Sequence, residues 1–494
     1  MSRKAFISII LCALSFLMTW GQGGLRPRGD VNCDWEVNIA DINTLIDSVM
    51  TGARYHSFYS YAADINGDQE ITIADVNLLI DAIFGHELPP MPTYSGAMPV
   101  MYINTEGHRN IDSKEEYLHA DWWLDNMGIE GVEPLGSPDQ PLGLQIKGRG
   151  NYTWTLSKKP FRIKLDTKEK LLGMEKNRHF CLLASDFWTA TLGFELSRRI
   201  GLAYTPAAEP VEVVLNGQYI GLYLLTEKIR VDNHRVNITE QASGDTVASN
   251  ITGGWLLEID NHPDENQFGL MEGNGNWLAV KYHSPDSLSQ EQLSYIVNFL
   301  EKTDSAIYSG AQAVTPWSDY IDMDTLACFY IVNEVADEIE SFTNSLFLHK
   351  QRGDSTKLLF GPVWDFGCSF GRSQSPTPCF IYENTAENFK PHWLESMIKN
   401  RIFQQCVRSH WNRFYPQSLV SIVDYMDAWV ERIAPAVEKE LIRWPEYSYD
   451  HNIKYLHTHR YKPSLKAKVD WLQSQWGMPD IVDPEGPEDE VLPK

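Results

Sequence analysis

The prediction of the fold begins with one segment of the chain, Lys357-Leu358-Leu359-Phe360-Gly361-Pro362-Val363-Trp364-Asp365-Phe366-Gly367-Cys368-Ser369-Phe370-Gly371. The apolar run at 358–360 predicts a buried strand, which Gly361-Pro362 bends and Val363-Trp364 is expected to resume. Asp365 then follows as a single carboxylate, which is costly to bury unless a cation meets it. Because Gly367 allows the backbone to turn sharply, the segment is suited to presenting Asp365 to a metal ion.

The composition of the chain limits the class of protein. Its 494 residues are enough for two or three domains, one with a sizeable core. The hydrophobic content of 43% and the aromatic content of 12% favour a globular chain over a disordered one. The net charge of -24 argues against nucleic-acid binding, because phosphates would be repelled.

The N-terminus predicts a secretory signal peptide over residues 1–24, and therefore a secreted or cell-surface protein. Basic residues at 3–4 precede an apolar stretch from Ala5 to Trp20, and small residues follow it. A membrane anchor is the alternative, although the apolar core is short for a span of about 20 residues. No later segment is apolar enough to cross a bilayer, so no integral membrane segment is expected after signal removal.

The cysteines outside this leader are even in number, which permits disulfides in a secreted chain. They are Cys33, Cys181, Cys328, Cys368, Cys379 and Cys406. A bond between Cys368 and Cys379 across a loop is left open. No CxxC spacing occurs, so the spacing does not suggest a zinc site.

Two matching loops near the start of the chain predict calcium binding. They begin at residues 30 and 64, and each places oxygen-bearing side chains at positions 1, 3, 5, 9 and 12, with position 7 ligating through its carbonyl. The alternative is a pair of acidic turns without an ion. The candidate ligands are Asp30, Asn32, Asp34, Glu36, Asn38, Asp41, Asp64, Asn66, Asp68, Glu70, Thr72 and Asp75.

This repeat resembles the type I dockerin family over about residues 28–86. Each loop opens an amphipathic run with helical spacing, at 42–49 and 76–83. The resemblance implies two bound Ca²⁺ ions and a cohesin-domain protein as partner. Position 6, where the family usually has Gly, is Trp35 in one loop and Gln69 in the other. We expect a dockerin-like domain over 28–87 and a stiff, Pro-rich linker over 88–97.

The next part of the chain predicts a hairpin that carries cations. The stretches 144–147 and 161–166 alternate like half-buried strands, and the turn between them contains Gly148, Arg149 and Gly150. Backbone amides in such a turn can approach phosphates closely. The return strand carries Arg162 and Lys164 at alternate positions; the alternative is two solvated cations on an edge strand.

The remaining elements follow from local signals. Phe187 to Ile200 reads as a helix that Gly201 ends, and Asn216-Gly217 predicts a second hairpin. Further expected elements are a strand at 253–260 and helices at 293–300, 324–336 and between 389 and 475.

The order of these motifs resembles the CotH spore-coat kinase family over about residues 98–413. The matching segments are Ile146–Asn151, Lys158–Asp166, Leu171–Met174, Leu215–Lys228, Gly253–Asp260 and Gly361–Gly367. The resemblance implies an atypical, protein-kinase-like fold that binds ATP and Mg²⁺ and phosphorylates proteins. Asp-Phe-Gly is also the order of residues that holds magnesium in protein kinases.

We therefore expect an α+β protein with two parts. A small all-helical dockerin with paired EF-hand-like calcium loops precedes a kinase-like domain over 98–476, which has an antiparallel N-terminal sheet and a helical C-terminal part. An acidic tail at 477–494 is expected to be disordered.

The resemblance also assigns roles to individual residues. Lys164 is expected to contact the phosphates together with the turn Gly148, Arg149 and Gly150, and Asp365 to hold the metal. Glu340 stands where the family has an Asp, as the candidate catalytic base; in the alternative, Glu338 and Glu340 are only solvated charges. Asn344, or in another register Ser345, matches a metal-binding Asn, and Glu195 is the candidate ion-pair partner of Lys164.

The sequence is compatible with three functions. The first is a secreted ATP- and Mg²⁺-dependent kinase that phosphorylates a protein acceptor and docks on a cohesin through calcium-loaded loops. The second is a pseudokinase, a binding module that no longer catalyses. The third is a component of extracellular polysaccharide degradation, which is suggested only because dockerins often carry glycosidases.

Overall fold

The structure is a computed structural model that describes residues 28–34, 36–52, 60–66, 71–86, 93–262, 264–310, 313–370, 378–383, 391–447 and 450–477. The predicted signal peptide, most of the predicted linker and nearly all of the predicted tail lie outside the described residues. The chain divides into two compact units. The first contains residues up to 185, 208–227 and 432–453, and the second contains 186–207, 228–431 and 454 onward.

The first unit opens with the helical segment that the loop repeat predicts. Its helices are α1 (Ile39–Thr51), α2 (Ser60–Ala63) and α3 (Ile73–Ile83). Asn38 and Thr72 cap α1 and α3, and each takes part in a capping box. A small apolar core holds the segment together, formed by Val31, Leu45, Ala63, Ile65, Val76 and Leu79.

A seven-stranded barrel follows in the first unit. Its strands are β1 (Val100–Thr105), β2 (Leu118–Asp125), β3 (Leu142–Gly148), β4 (Phe161–Glu169), β5 (Asn177–Leu183), β6 (Ala208–Leu215) and β7 (Gln218–Glu227), with a short helix α4 (Tyr152–Thr155) between β3 and β4. The order is β1-β2-β3-β4-β5-β7-β6. The sheet is antiparallel as expected except where β1 and β6 pair in parallel and close it.

A buried ion pair ties residues 432–453 to this barrel. The Nζ of Lys158 lies 2.5 Å from Oε1 of Glu440, and both side chains are almost fully buried. The amide of Leu222 donates to Oε2 of Glu440 at 2.8 Å, and Nδ1 of His451 lies 2.7 Å from Oε1. A side chain at Gly221 would begin 2.2 Å from Glu440, so only glycine fits beside the carboxylate.

The second unit contains a five-stranded antiparallel sheet surrounded by helices. Its elements are α5 (Phe187–Ile200), β8 (Trp255–Ile259), β9 (Gln267–Met271), β10 (Trp277–Ser284), α6 (Gln290–Ser309), α7 (Met323–Val335), β11 (Leu346–Lys350), β12 (Leu358–Phe360), α8 (Leu394–Met397) and α9 (Arg401–Phe414). The sheet order is β12-β11-β8-β10-β9. The later helices of the chain are α10 (Ile422–Arg443), α11 (Ile453–Leu456) and α12 (Lys462–Trp476). Residues 432–453, which include the second half of α10, are counted with the first unit.

Most predicted elements are present, and one is wrong. Helix α5 ends at Gly201 in a left-handed cap, and β6 and β7 join through the Asn-Gly turn. Val363 and Trp364 do not resume a strand after β12. Gly361 has a φ of 106°, a conformation that glycine adopts readily, and it turns the chain out of the sheet.

Two further observations concern the whole described chain. Its six cysteines carry thiols, so the disulfide considered between Cys368 and Cys379 is not formed in this structure. Within the described residues, no helix combines the length and the apolar character that crossing a membrane requires.

Candidate functional site

The turn after β12 presents Asp365 at the surface of the second unit. Asp365 is exposed and has a φ of 58°, and its Oδ1 accepts a hydrogen bond from the amide of Gly367 at 3.2 Å. Phe366 points the other way and is buried. A side chain at Gly193 of α5 would begin 2.1 Å from the ring of Phe366, so the glycine makes room for the aromatic anchor of the turn.

A second carboxylate lies beside Asp365. The point where a side chain at Gly367 would begin is 3.3 Å from Oδ1 of Asp365 and 3.6 Å from Oδ2 of Asp186. Asp186 is exposed, has a φ of 57°, and its side chain does not cap the helix that follows. Sequence reasoning missed Asp186, because an Asp before a helix is normally an N-cap. The two carboxylates therefore face the same small space.

Glu338 fixes the residues that follow Asp365. It is 1% exposed, so the alternative that it is a solvated charge is wrong. Its Oε2 accepts hydrogen bonds from the amide of Cys368 at 2.9 Å and the hydroxyl of Ser369 at 3.0 Å, and Oε1 accepts from the amide of Glu340 at 3.0 Å. Burial raises the pKa of Glu338 well above its usual value, and the charges of Asp365 and Glu340 raise it further, against these hydrogen bonds.

Glu340 and Asn344 lie on the same turn as Glu338. Glu340 is partly buried, and its Oε1 accepts a hydrogen bond from the thiol of Cys368 at 2.8 Å. The amide of Asn344 donates to the carbonyl of Glu340 at 2.9 Å. The side-chain oxygen of Asn344 accepts from the amide of Asn261 at 3.2 Å. Asp186, Glu338, Glu340 and Asp365 thus form an acidic group on the second unit, which a divalent cation would suit.

Glu195 has cationic neighbours on its own helix. Its Oε1 lies 2.7 Å from Nε of Arg199, and its other oxygen contacts Arg198. These are i,i+4 and i,i+3 pairs on α5. The expected pairing of Glu195 with Lys164 stays a prediction.

Lys164 lies on a cationic face of the barrel in the first unit. It pairs across the sheet with Gln145 on β3 and His179 on β5, and Arg162 pairs with Lys147. These residues share one face, while the alternate residues of β4 are buried. Because β4 lies between β3 and β5, the edge-strand alternative is wrong. Burial lowers the pKa of Lys147, and the charge of Arg162 adds to the effect.

The glycine turn between β3 and β4 has two of its amides engaged. The amide of Gly148 donates to the carbonyl of Ser113 at 2.8 Å, and that of Arg149 donates to Pro160 at 3.2 Å. A side chain at Gly148 would begin 2.4 Å from the ring of Trp154, so this glycine permits packing. The amides of Gly148 and Arg149 are thus used within the first unit, and the contact of this turn with phosphate stays a prediction.

The first of the two repeated loops has the shape of a cation site. Oxygens of Asp30 and Asn32 both accept a hydrogen bond from the amide of Asp34 at 3.0 Å, so they converge. The carboxylate of Asp41 accepts from the amide of Asn32 at 3.0 Å and that of Asn38 at 2.9 Å. Burial raises the pKa of Asp41, and Asp30 adds to it, despite these bonds. The donor set and this crowding of negative charge fit calcium.

The second loop repeats the pattern where it is described. Oδ1 of Asp75 accepts from the amide of Asn66 at 3.2 Å, and Oδ2 accepts from the amide of Thr72 at 2.8 Å. Asp64 is buried. The predicted ligands Asp68 and Glu70 lie outside the described residues. Two loops that share one arrangement support the same use of both.

Profiles of two known families match separate parts of the chain. The profile described as CotH kinase protein matches residues 146–464. The profile described as Dockerin type I domain matches residues 28–84, a domain type that implies calcium binding and that binds cohesin-bearing partners. No curated protein matches the chain.

Proposed function

We propose, because the chain belongs to the CotH kinase protein family, that it transfers the γ-phosphate of ATP to a protein acceptor. The dockerin at its start would attach the protein, outside the cytoplasm, to a cohesin-bearing partner. The observation that carries the catalytic part is the exposed pair Asp365 and Asp186, whose carboxylates face one small space near Gly367.

Phosphoryl transfer depends mainly on positioning and on neutralising the charge of the phosphates. Asp365 and Asp186 are the residues that would hold Mg²⁺, and the ion would supply this neutralisation. Lys164 and the side chain of Arg149 would contact phosphate oxygens, with the amide of Gly150. The side-chain oxygen of Asn344 is a further candidate ligand.

Glu340 is the candidate general base for the acceptor hydroxyl. The thiol of Cys368 occupies its Oε1, which leaves Oε2 to accept the proton. The hydrogen bond from the amide of Glu340 to Glu338 fixes the backbone at this point. Glu reaches one methylene further than Asp, so the acceptor hydroxyl would sit further from the backbone than in a site with Asp.

Transfer of labelled phosphate from ATP tests this proposal. Replacing Asp365 by Asn should lower the rate by at least about 100-fold, the scale for losing one electrostatic stabiliser of a transition state. Asp286→Asn is the matched control, because Asp286 is an exposed Asp of the same unit. Equal transfer by wild type, Asp365→Asn and Asp286→Asn would remove Asp365 from the mechanism.

A catalytically inactive binding module is the second candidate. The observation that favours it is the use of Glu340, which stands where an Asp is expected, as an acceptor for the thiol of Cys368. In that case the protein binds ATP with Mg²⁺ but transfers no phosphate. Calorimetry with ATP beside the transfer assay separates the two candidates.

The dockerin supports the attachment to a partner. Ile39 and Ile73 occupy the same position in the two repeats and are 70% and 62% exposed. Large apolar side chains at such exposure are candidates for a docking contact. The proposed occupant is a cohesin domain, and its capture should depend on calcium, because the loops set the start of both helices.

A further inference from the structure

A cluster of metal-binding side chains lies on helices α7 and α9 of the second unit, and the proposed function does not use it. Asp324 and Cys328 stand one helical turn apart on α7. Cys406 and His410 stand one turn apart on α9. Residues four apart share a helix face, so each helix offers two polar groups at the place where the helices meet.

The distances within the cluster are short. Oδ1 of Asp324 lies 2.8 Å from Nε2 of His410 and 3.6 Å from Sγ of Cys406. One ligand atom from each of these three residues lies within 4.8 Å of the others. Zinc bonds of about 2.0–2.3 Å in a tetrahedron place ligand atoms roughly 3.3–3.8 Å apart. The three atoms would therefore need only small shifts to surround an ion.

We propose that Asp324, Cys406 and His410 bind one Zn²⁺ ion between α7 and α9, with water in the fourth position. Thiolate, imidazole and carboxylate are the three ligand types that zinc uses in proteins. A hard cation such as Mg²⁺ would avoid the sulfur. The side chain of Asp324 is 78% exposed, so solvent reaches the ion.

The neighbours of the cluster orient the imidazole. Sγ of Cys328 lies 3.5 Å from Nδ1 of His410, on the ring edge opposite to Asp324. Histidine ligands usually use their second nitrogen in an outer hydrogen bond that fixes the ring. Nη2 of Arg413 lies 3.0 Å from the same Nδ1 and must turn away when that nitrogen carries a proton. The carboxylate of Asp322 adds negative charge near both thiols.

Binding changes the protonation of two groups. The thiol of Cys406, which contacts Asp324 in this structure, loses its proton to solvent as the sulfur–zinc bond forms. The imidazole of His410 binds through Nε2 and carries its proton on Nδ1, toward Cys328. The ion then cross-links the first turn of α7 to α9, which adds a constraint to the helix that leads into Glu338 and Glu340.

Metal titration of the full chain tests this site. With excess Ca²⁺ to occupy the dockerin loops, Zn²⁺ calorimetry should show one additional ion per chain. Co²⁺ as a probe should give the near-ultraviolet absorption band of a thiolate–cobalt bond. Cys406→Ser and His410→Asn should each weaken Zn²⁺ binding by more than about 100-fold, beyond the 10–100-fold that an outer partner costs. Cys328→Ser should lie within that smaller range.

Cys379→Ser is the matched control, because it makes the same change at a partly buried cysteine of the same unit, and it should bind like wild type. Alkylation mapped by mass spectrometry gives a readout for each residue: saturating Zn²⁺ should protect Cys406 and not Cys379. The proposal is overturned by a missing thiolate band, by unchanged Zn²⁺ binding in Cys406→Ser, or by a disulfide between Cys328 and Cys406 in the purified protein.

Discussion

At the scale of single residues, two exposed aspartates share an uncommon backbone conformation. Asp186 and Asp365 have φ values of 57° and 58°. Non-glycine residues seldom adopt this region, and those that do are concentrated at functional sites. Both carboxylates are held toward the same space near Gly367. The conformation thus keeps two negative charges close together, an arrangement that a bound cation would stabilise.

Glu338 should make the stability of the protein depend on pH. Its pKa is raised above the unfolded value. Above a pH of about 4.5 the folded state therefore binds more protons than the unfolded state, and the free energy of unfolding falls as pH rises. The slope for one group approaches about 1.4 kcal/mol per pH unit. Urea unfolding of wild type and Glu338→Gln in chelator, at a series of pH values, measures the difference.

The comparison measures the titration of Glu338 together with its coupling to Asp365 and Glu340. Glu338→Gln should gain stability relative to wild type as pH rises. Gln offers an amide NH₂ to hydrogen-bond donors, so a constant loss at every pH is expected in addition. A difference that does not change with pH would show that Glu338 is ionised in the folded protein.

The sequence could identify some of the site residues, but not which of them are buried or which lie next to each other. Asp365 was predicted because a single carboxylate after an apolar strand and before Phe-Gly is a local pattern. The burial of Glu338 depends on Cys368 and Ser369, which lie about 30 residues further along the chain. Asp186 becomes visible only when its position beside Gly367 is known. These properties arise from tertiary contacts that no local pattern records.

At the scale of elements, α5 and the turn after β12 depend on one small residue. A methyl group at Gly193 would begin 2.1 Å from the ring of Phe366, which is 1% exposed. Gly193→Ala should therefore lower the free energy of unfolding by about 1–3 kcal/mol, since overpacking outweighs the higher helix propensity of alanine. Chemical denaturation measures the loss.

A second substitution serves as the control for Gly193→Ala. Phe366→Leu removes part of the ring and should recover some of the stability in the double variant, because the two sites are in contact. If the two losses of stability simply added in the double variant, the methyl group at position 193 would not press against the ring of Phe366.

In the first unit, breaking the buried pair Lys158–Glu440 should cost more stability than breaking an ion pair that lies at the surface. Burial lowers the pKa of Lys158 to about 8, and Glu440 opposes that shift. Replacing Glu440 by Gln leaves the ammonium without its counter-charge and should cost about 3–5 kcal/mol in thermal or urea unfolding. The exposed pair Arg432–Glu209 is the matched control, and Glu209→Gln should change stability by about 0–1 kcal/mol. Similar losses in both variants would contradict this ranking.

Element prediction succeeded where the signal was local and failed where it was not. The Asn-Gly turn and the glycine after α5 specify their elements directly. The parallel pairing of β1 with β6 joins strands about a hundred residues apart, and no local pattern in either strand predicts it. No role of its own could be predicted for Lys158 from the sequence, since its partner Glu440 lies 282 residues further along the chain.

At the scale of the whole molecule, the proposed function assigns separate tasks to the dockerin match at 28–84 and to the CotH match at 146–464. The loops offer oxygen ligands to calcium through side chains at fixed spacing, and the two halves use the same capping arrangement. Metal binding contributes to the folding of such loops, because the ligands are assembled only in the folded state. Calcium should therefore control docking without taking part in phosphate transfer.

Replacing Asp30 by Asn should reduce calcium binding of the full chain from two ions to one. Asp30 is fully buried and its oxygen converges with that of Asn32, so the substitution removes one charge from the first site with little change in shape. Calorimetry with Ca²⁺ measures the stoichiometry. Asp47→Asn, at an exposed position on α1, is the matched control and should still bind two ions. Capture by an immobilised cohesin should weaken in Asp30→Asn and disappear in EDTA. Phosphate transfer by Asp30→Asn, measured with Mg²⁺ and without chelator, should stay unchanged. Undiminished capture in EDTA would mean that the helices dock without the ions, and the loops would then have to serve another purpose.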